Sequence, residues 1–215
     1  MIEDTNTAIN PENVTTGGPV EGACIYVNFG DDVTLPETAT ESLVGEGSEW
    51  ENAGELSDQG WTTSTSATVN KFKGHHGATL LTESANEEVT LKLECTEVVR
   101  PTVCKMRYGA NNVTVDGAGF VTAIDPTVLP GQILPIVIDS LFSNGIVERA
   151  VFPRAKVENV DDEAHQRGSL HVYGMTFSLL VDEEGRPYYK RRARLAAAAV
   201  EDEGNGEGNG EGNGG

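Results

Sequence analysis

The chain has 215 residues, 15 Lys and Arg against 34 Asp and Glu, and a formal net charge of −19. This length can bury a core without disulfide staples. The acidic balance argues against a protein that grips nucleic acid by displacing counterions with Lys and Arg, though not against one that lets DNA pass without adhering. No apolar run approaches the roughly 20 residues of a membrane-spanning helix.

The opening "MIEDTNTAINPENVTTGG" has neither a basic n-region nor an apolar h-region, which predicts no secretory signal. Residues 1–18 read as an arm, and residues 19–190 as one β domain. "GACIYVNFG" reads as a short strand. The segment from Asp31 to Gly60 shows no periodicity over about 30 residues and reads as a long loop, a length that marks functional or mobile segments. Residues 1–70 carry 13 acids and no Lys or Arg, so Lys71 and Lys73 are the first positive charges of the chain.

From Trp61 to Phe72 the chain alternates as a Thr-rich strand. Trp61, Thr63, Thr65, Ala67 and Val69 share one face, and Thr62, Ser64, Ser66, Thr68 and Asn70 the other. His75 and His76 follow. Neighbouring strand residues point to opposite faces, and no third ligand stands at a recognisable spacing, so the pair predicts an exposed turn and not a metal site. His165 and His171 have no motif around them. Glu88 to Glu97 alternates again, with Val89, Leu91, Leu93 and Cys95 opposite Glu88, Thr90, Lys92, Glu94 and Thr96.

A helix is predicted over residues 99–108. Pro101 sits near its first turn, Val99, Val103 and Met106 share a face, Lys105 and Arg107 complement its C-terminal dipole, and Gly109 can close it. Asp116-Gly117 and Asn144-Gly145 each stand between apolar runs and predict hairpins, the second the stronger. Asp161, Asp162 and Glu163 lack the ordered spacing of a calcium loop and read as a solvated turn. Leu170 to Val181 is strand-like, with Tyr173, Met175, Phe177, Leu179 and Val181 on one face. "YYKRRAR" reads as a charged arm from Arg186 through Lys190, Arg191, Arg192 and Arg194, pairing with an acidic neighbour. Residues 191–215 are read as a basic, then Gly/Asn/Glu-rich, flexible tail.

Chemistry-bearing patterns are sparse. Gly-x-Ser-x-Gly is missing, and the glycines form no Gly-x-Gly-x-x-Gly before a helix. Cys24, Cys95 and Cys104 form no Cys-x-x-Cys pair and sit in apolar runs, so they read as packed, reduced thiols in a cytosolic compartment. The expectation is a non-enzymatic protein without cofactor or metal.

Three stretches together resemble the major tail (tail tube) proteins of long-tailed bacteriophages, especially those of actinobacteriophages. They are "LPETATESL" with "WENAGELSDQGWTTSTS", "VTLKLECTEVVRPTVCKMRYG", and "RAVFPRAKVENVDDEAHQRGSLHVYGMTFSLLVDEEGRPYYKR". The resemblance spans roughly residues 20–190. It implies a mainly β fold: a two-sheet β-sandwich with one flanking short α-helix and a long early loop. It also implies hexameric rings stacked into a tube in the virion tail, assembled in the host cytoplasm. The partners would be other copies of the chain, the tape-measure protein and transiting DNA in the lumen, and the tail terminator and distal tail proteins at the ends. Neither a membrane nor sequence-specific nucleic-acid binding is implied.

On this reading the inter-subunit candidates are Asp31, Asp32, Leu35, Pro36, Leu43, Trp50, Leu56, Trp61, Lys71 and Lys73, with the basic arm Arg186, Lys190, Arg191, Arg192 and Arg194. The lumen-facing candidates are Ser64, Ser66, Asn70, Glu88, Lys92 and Glu94. The alternatives are another virion β-protein, for decoration or neck completion, and a carbohydrate-binding or hydrolytic β-sandwich.

Overall fold

In the computed structural model the described residues are 15–19, 24–30, 33–45, 47–127 and 129–195. The fold is mainly β, with two sheets and one short helix. The strands are β1 (Gly17–Pro19), β2 (Ile25–Val27), β3 (Glu51–Gly54), β4 (Leu56–Lys73), β5 (Thr79–Cys95), β6 (Val113–Val115), β7 (Val121–Ile124), β8 (Ile133–Phe142), β9 (Ile146–Val160), β10 (Tyr173–Leu179) and β11 (Tyr189–Arg194). The helix α1 is Pro101–Tyr108. Nine strands join in the order β3-β2-β8-β9-β10-β5-β4, with β1 on β8 and β11 on β9, while β6 and β7 form a separate hairpin.

Strand β9 organises the molecule. Along one edge it pairs with β8 over most of its length. Along the other, Ile146–Val151 pairs with β11, and Ala155–Val160 pairs with β10. The change of partner falls at Pro153 and Arg154, opposite Pro135, where the β8–β9 register shifts. Proline cannot donate to a ladder, and a bulge bends the strand that carries it. The sheet therefore turns a corner there and folds its two halves face to face.

The core fills the space between the halves. Ile25, Val27, Ile136, Ile138, Ala150 and Phe152 come from one side, Leu91, Leu93, Met175 and Phe177 from the other, and Val103 and Met106 from α1. Each of these is buried. At about 25 cal/mol per Å² of apolar surface removed from water, such side chains are the main stabilising term. Trp61 reaches across the gap: its ring meets Phe152 edge-on at 5.8 Å, and its Nε1 donates to Ser140 Oγ at 3.4 Å.

The alternation over Glu88–Cys95 is as read, with Leu91, Leu93 and Cys95 inward. Asn144-Gly145 turns the β8–β9 hairpin, Gly145 at φ 74° with its N–H on Phe142 O at 2.9 Å. The β6–β7 hairpin turns at Asp116–Gly119.

The helix starts at Pro101, not residue 99. Arg100 stays extended because the proline ring crowds the residue before it, and Val99 is 76% exposed, off the buried face. The aperiodic segment ends at Trp50, not Gly60. Residues 51–54 pair with β2, a strand too short for alternation to reveal. The chain does not become a tail at Arg191, since Arg191–Arg194 complete β11. Val181 lies past the end of β10 and is exposed.

Candidate assembly surface

Strands β4 and β5 form a hairpin whose inner half belongs to the body. There β5 pairs with β10, from Ser178 opposite Thr90 to Tyr173 opposite Cys95. Beyond Glu88 the two strands pair, among the described residues, only with each other. Val69, Phe72, Leu80 and Leu81 on this outer half are 46, 52, 75 and 58% exposed. The hairpin closes at the His turn: Gly74 N–H reaches Ala78 O at 2.8 Å, and Gly77 takes φ 79°. His75 and His76 are exposed as expected. They are not on opposite faces, because they sit in a turn and not in a strand, and their rings meet at 5.3 Å.

The polar face of the hairpin is continuous. Thr62 lies opposite Lys92, Ser64 opposite Thr90, and Ser66 opposite Glu88, with Thr176 and Ser178 of β10 extending the same face. Ser64, Ser66, Asn70, Glu88 and Lys92 are exposed and Glu94 is half-buried. Glu94 accepts a hydrogen bond from Ser57 Oγ at 2.5 Å, and Lys92 pairs with Asp161 at 3.3 Å. Lys71 and Lys73 are exposed near the tip, opposite Thr82 and Thr79. Strand β4 ends the sheet order, so its outer edge is unpaired among the described residues.

The early loop lies over its own sheet. Leu43 is buried against Tyr26, Val137 and Val151, with Leu35, Trp50 and Tyr189 around it. Arg149 Nη1 donates to Thr38 O and Glu41 O at 3.2 and 2.7 Å, and Tyr189 Oη donates to Pro36 O at 3.2 Å. Pro36, Leu43 and Leu56 are therefore consumed inside the chain, while Trp50 and Trp61 are half-buried. Asp31 and Asp32 lie outside the described residues.

The basic arm also finds counter-charges within the chain. Lys190 and Arg192 both reach Glu148, at 2.8 and 2.6 Å, and Arg186 reaches Asp182 and Glu184 at 2.9 and 2.7 Å. Arg191 Nε donates to Glu37 O at 3.0 Å, with its guanidinium over the Tyr189 ring, and Arg194 is exposed at the strand end. The Glu148 side chain is 3% exposed. Burial alone would raise its carboxyl, but hydrogen bonds and charge from Lys190 and Arg192 outweigh burial and hold it below its usual range.

Sequence reasoning missed Glu148 and Arg149, because the cross-strand register that gives them partners is invisible in one strand read alone. A scan against protein-family models finds no match to this chain, and a search of curated proteins finds no relative that matches it.

Proposed function

We propose that this chain is a structural subunit that assembles with copies of itself into stacked hexameric rings, forming the tail tube of a long-tailed phage. The observation that carries this reading is the outer half of the β4–β5 hairpin. A two-stranded ribbon alone is marginal in water, and an unpaired edge with exposed apolar side chains is a template for another chain. Neighbouring hairpins that pair edge to edge around a ring close into a barrel and remove that liability.

The continuous polar face at Ser64, Ser66, Glu88 and Lys92 suits a water-filled bore, with Asn70 nearer the tip. A strongly acidic chain repels DNA phosphate, so DNA would slide through such a bore without adhering. The tape-measure protein would occupy it beforehand, and the terminator and distal tail proteins would close the two ends. The role is mechanical and not catalytic, performed in the virion after assembly in the host cytoplasm.

Electron microscopy of the purified protein tests this. Long tubes of stacked rings are expected. Isolated rings would indicate a neck or decoration protein instead, and dispersed monomers at high concentration would overturn self-assembly.

A further inference from the structure

Residues 161–172 connect β9 to β10. Gly168, at φ 85°, turns this loop back on itself and brings His171 beside His165, their rings 4.8 Å apart. Glu163 stands between them: its Oε1 is 3.2 Å from His165 Nε2 and 3.7 Å from His171 Nε2. One ligand atom from each of the three residues lies within 4.8 Å of the others. Tetrahedral zinc, with Zn–N near 2.0 Å, sets its ligand atoms about 3.3 Å apart. Two of the three spacings are already close to that figure. His165 is 74% exposed and free to turn for the third.

Two further observations point to a ligand. His171 Nε2 is buried and has no hydrogen-bond partner among the described residues; the Glu163 carboxylate stands 3.7 Å from it. A buried imidazole nitrogen left in that state is costly unless something fills the space before it. Glu163 is also held from behind. Tyr108 Oη donates to its Oε2 at 2.9 Å, and Tyr173 Oη donates to its Oε1 at 3.2 Å. Outer hydrogen bonds of this kind fix the orientation of a ligating carboxylate. Arg107, the buried cation beside Tyr173, donates through Nη2 to Asp161 O at 2.9 Å and through Nη1 to Gly174 O at 3.3 Å, while its Nε has no hydrogen-bond partner among the described residues. The solvated turn expected at Glu163 is thus a built cluster, in which two tyrosines from α1 and β10 meet a loop carboxylate and two histidines.

We propose that Glu163, His165 and His171 bind one divalent metal ion of the zinc class, with a fourth position open to water. Imidazole and carboxylate donors suit such an ion. Binding would clasp the β9–β10 loop onto the end of α1. This site is independent of ring assembly and does not rest on it.

The test is titration of the full chain with Zn2+ and with Co2+ in a non-coordinating buffer at neutral pH. Calorimetry should show one ion per chain, and Co2+ should give the visible bands of a four-coordinate site. His165→Ala and His171→Ala should each weaken zinc binding by at least about tenfold. A His75→Ala/His76→Ala double variant should leave it unchanged. His165 is exposed enough that its variant keeps the fold, which circular dichroism would verify. Absence of saturable one-to-one binding would overturn the proposal. So would unchanged affinity in folded His165→Ala, or loss of binding only in the His75/His76 variant.

Discussion

Arg149 and Asp139 face each other across the β8–β9 ladder and form a bidentate pair, Nε to Oδ1 and Nη2 to Oδ2, both at 2.8 Å. Their side chains are 5 and 11% exposed. The remaining guanidinium nitrogen holds the carbonyls of Thr38 and Glu41, so one residue joins the sheet to the loop that covers it. Arg149→Met strands a buried carboxylate and should cost about 3–5 kcal/mol, read from urea denaturation. Arg149→Met with Asp139→Leu should recover much of that loss, since an apolar pair of similar volume is often neutral. Protease cleavage between residues 33 and 50 should speed up in both variants, because both release the loop carbonyls.

Glu148 gives the fold a pH dependence whose sign is fixed by its partners. Its folded carboxyl lies below the ordinary value of 4.5, so its contribution is fully present above that pH and is lost as pH falls through the lowered folded value. Urea midpoints measured from neutral pH to pH 3 should therefore fall on the acid side, and Glu148→Gln should flatten that fall. Lys190→Ala and Arg192→Ala should each be tolerated, because the other cation remains. The double variant should lose about 2 kcal/mol or more beyond their sum, since only then is a buried carboxylate unpaired.

Local order was largely legible in the sequence, and tertiary order was not. Leu91, Leu93 and Cys95 betray their strand by alternation alone, and Asn144-Gly145 betrays its hairpin by backbone preference. Both signals act within a few residues. The corner at Pro153 and the pairing of Arg191–Arg194 with β9 depend on register between distant strands. The same holds for the site at Glu163, His165 and His171. Its spacing of one and five intervening residues matches no short motif, and only the turn at Gly168 makes it a cluster. Tyr108, which orients Glu163, comes from a helix 55 positions away. Leu43 packs on Tyr26, Val137 and Val151, and the Pro36 carbonyl accepts from Tyr189 Oη, contacts that a loop read without its sheet does not disclose.

The hairpin tip separates stability from assembly. Among the described residues Leu80 and Leu81 belong to no core cluster, so Leu80→Ser with Leu81→Ser should change the unfolding free energy of the unassembled chain, read from urea denaturation, by no more than about 0.5 kcal/mol. The same variant should fail to form tubes under the microscope, because the apolar tip would no longer have a reason to pack against a neighbour. A variant that unfolds readily as a monomer would show that the tip is anchored within its own chain. One that assembles normally would remove the hairpin from the interface.

The three cysteines test the compactness of the body. All are free and buried. Burial pushes the Cys24 thiol up to about 11 and the Cys95 thiol up to about 12, and it raises Cys104 as well. Cys104 Sγ donates to Val98 O at 3.2 Å and Cys24 Sγ to Gly54 O at 3.5 Å, which occupies both hydrogens in the neutral form. Only the thiolate attacks a disulfide reagent, and at pH 8 Cys24 would hold about one part in a thousand as thiolate even where the reagent could enter. The native chain should therefore resist an aromatic disulfide reagent over hours, and the urea-unfolded chain should react with three equivalents at once. Because labelling must wait for local opening, its rate should rise in Arg149→Met only to the extent that opening exposes Cys24, whose carbonyl accepts from Asp139 N–H at 2.9 Å on the strand that Arg149 pins. Cys104, on α1, should keep its native rate in that variant. Rapid reaction of any one thiol in the folded wild type would mean that the body opens locally far more often than its packing implies.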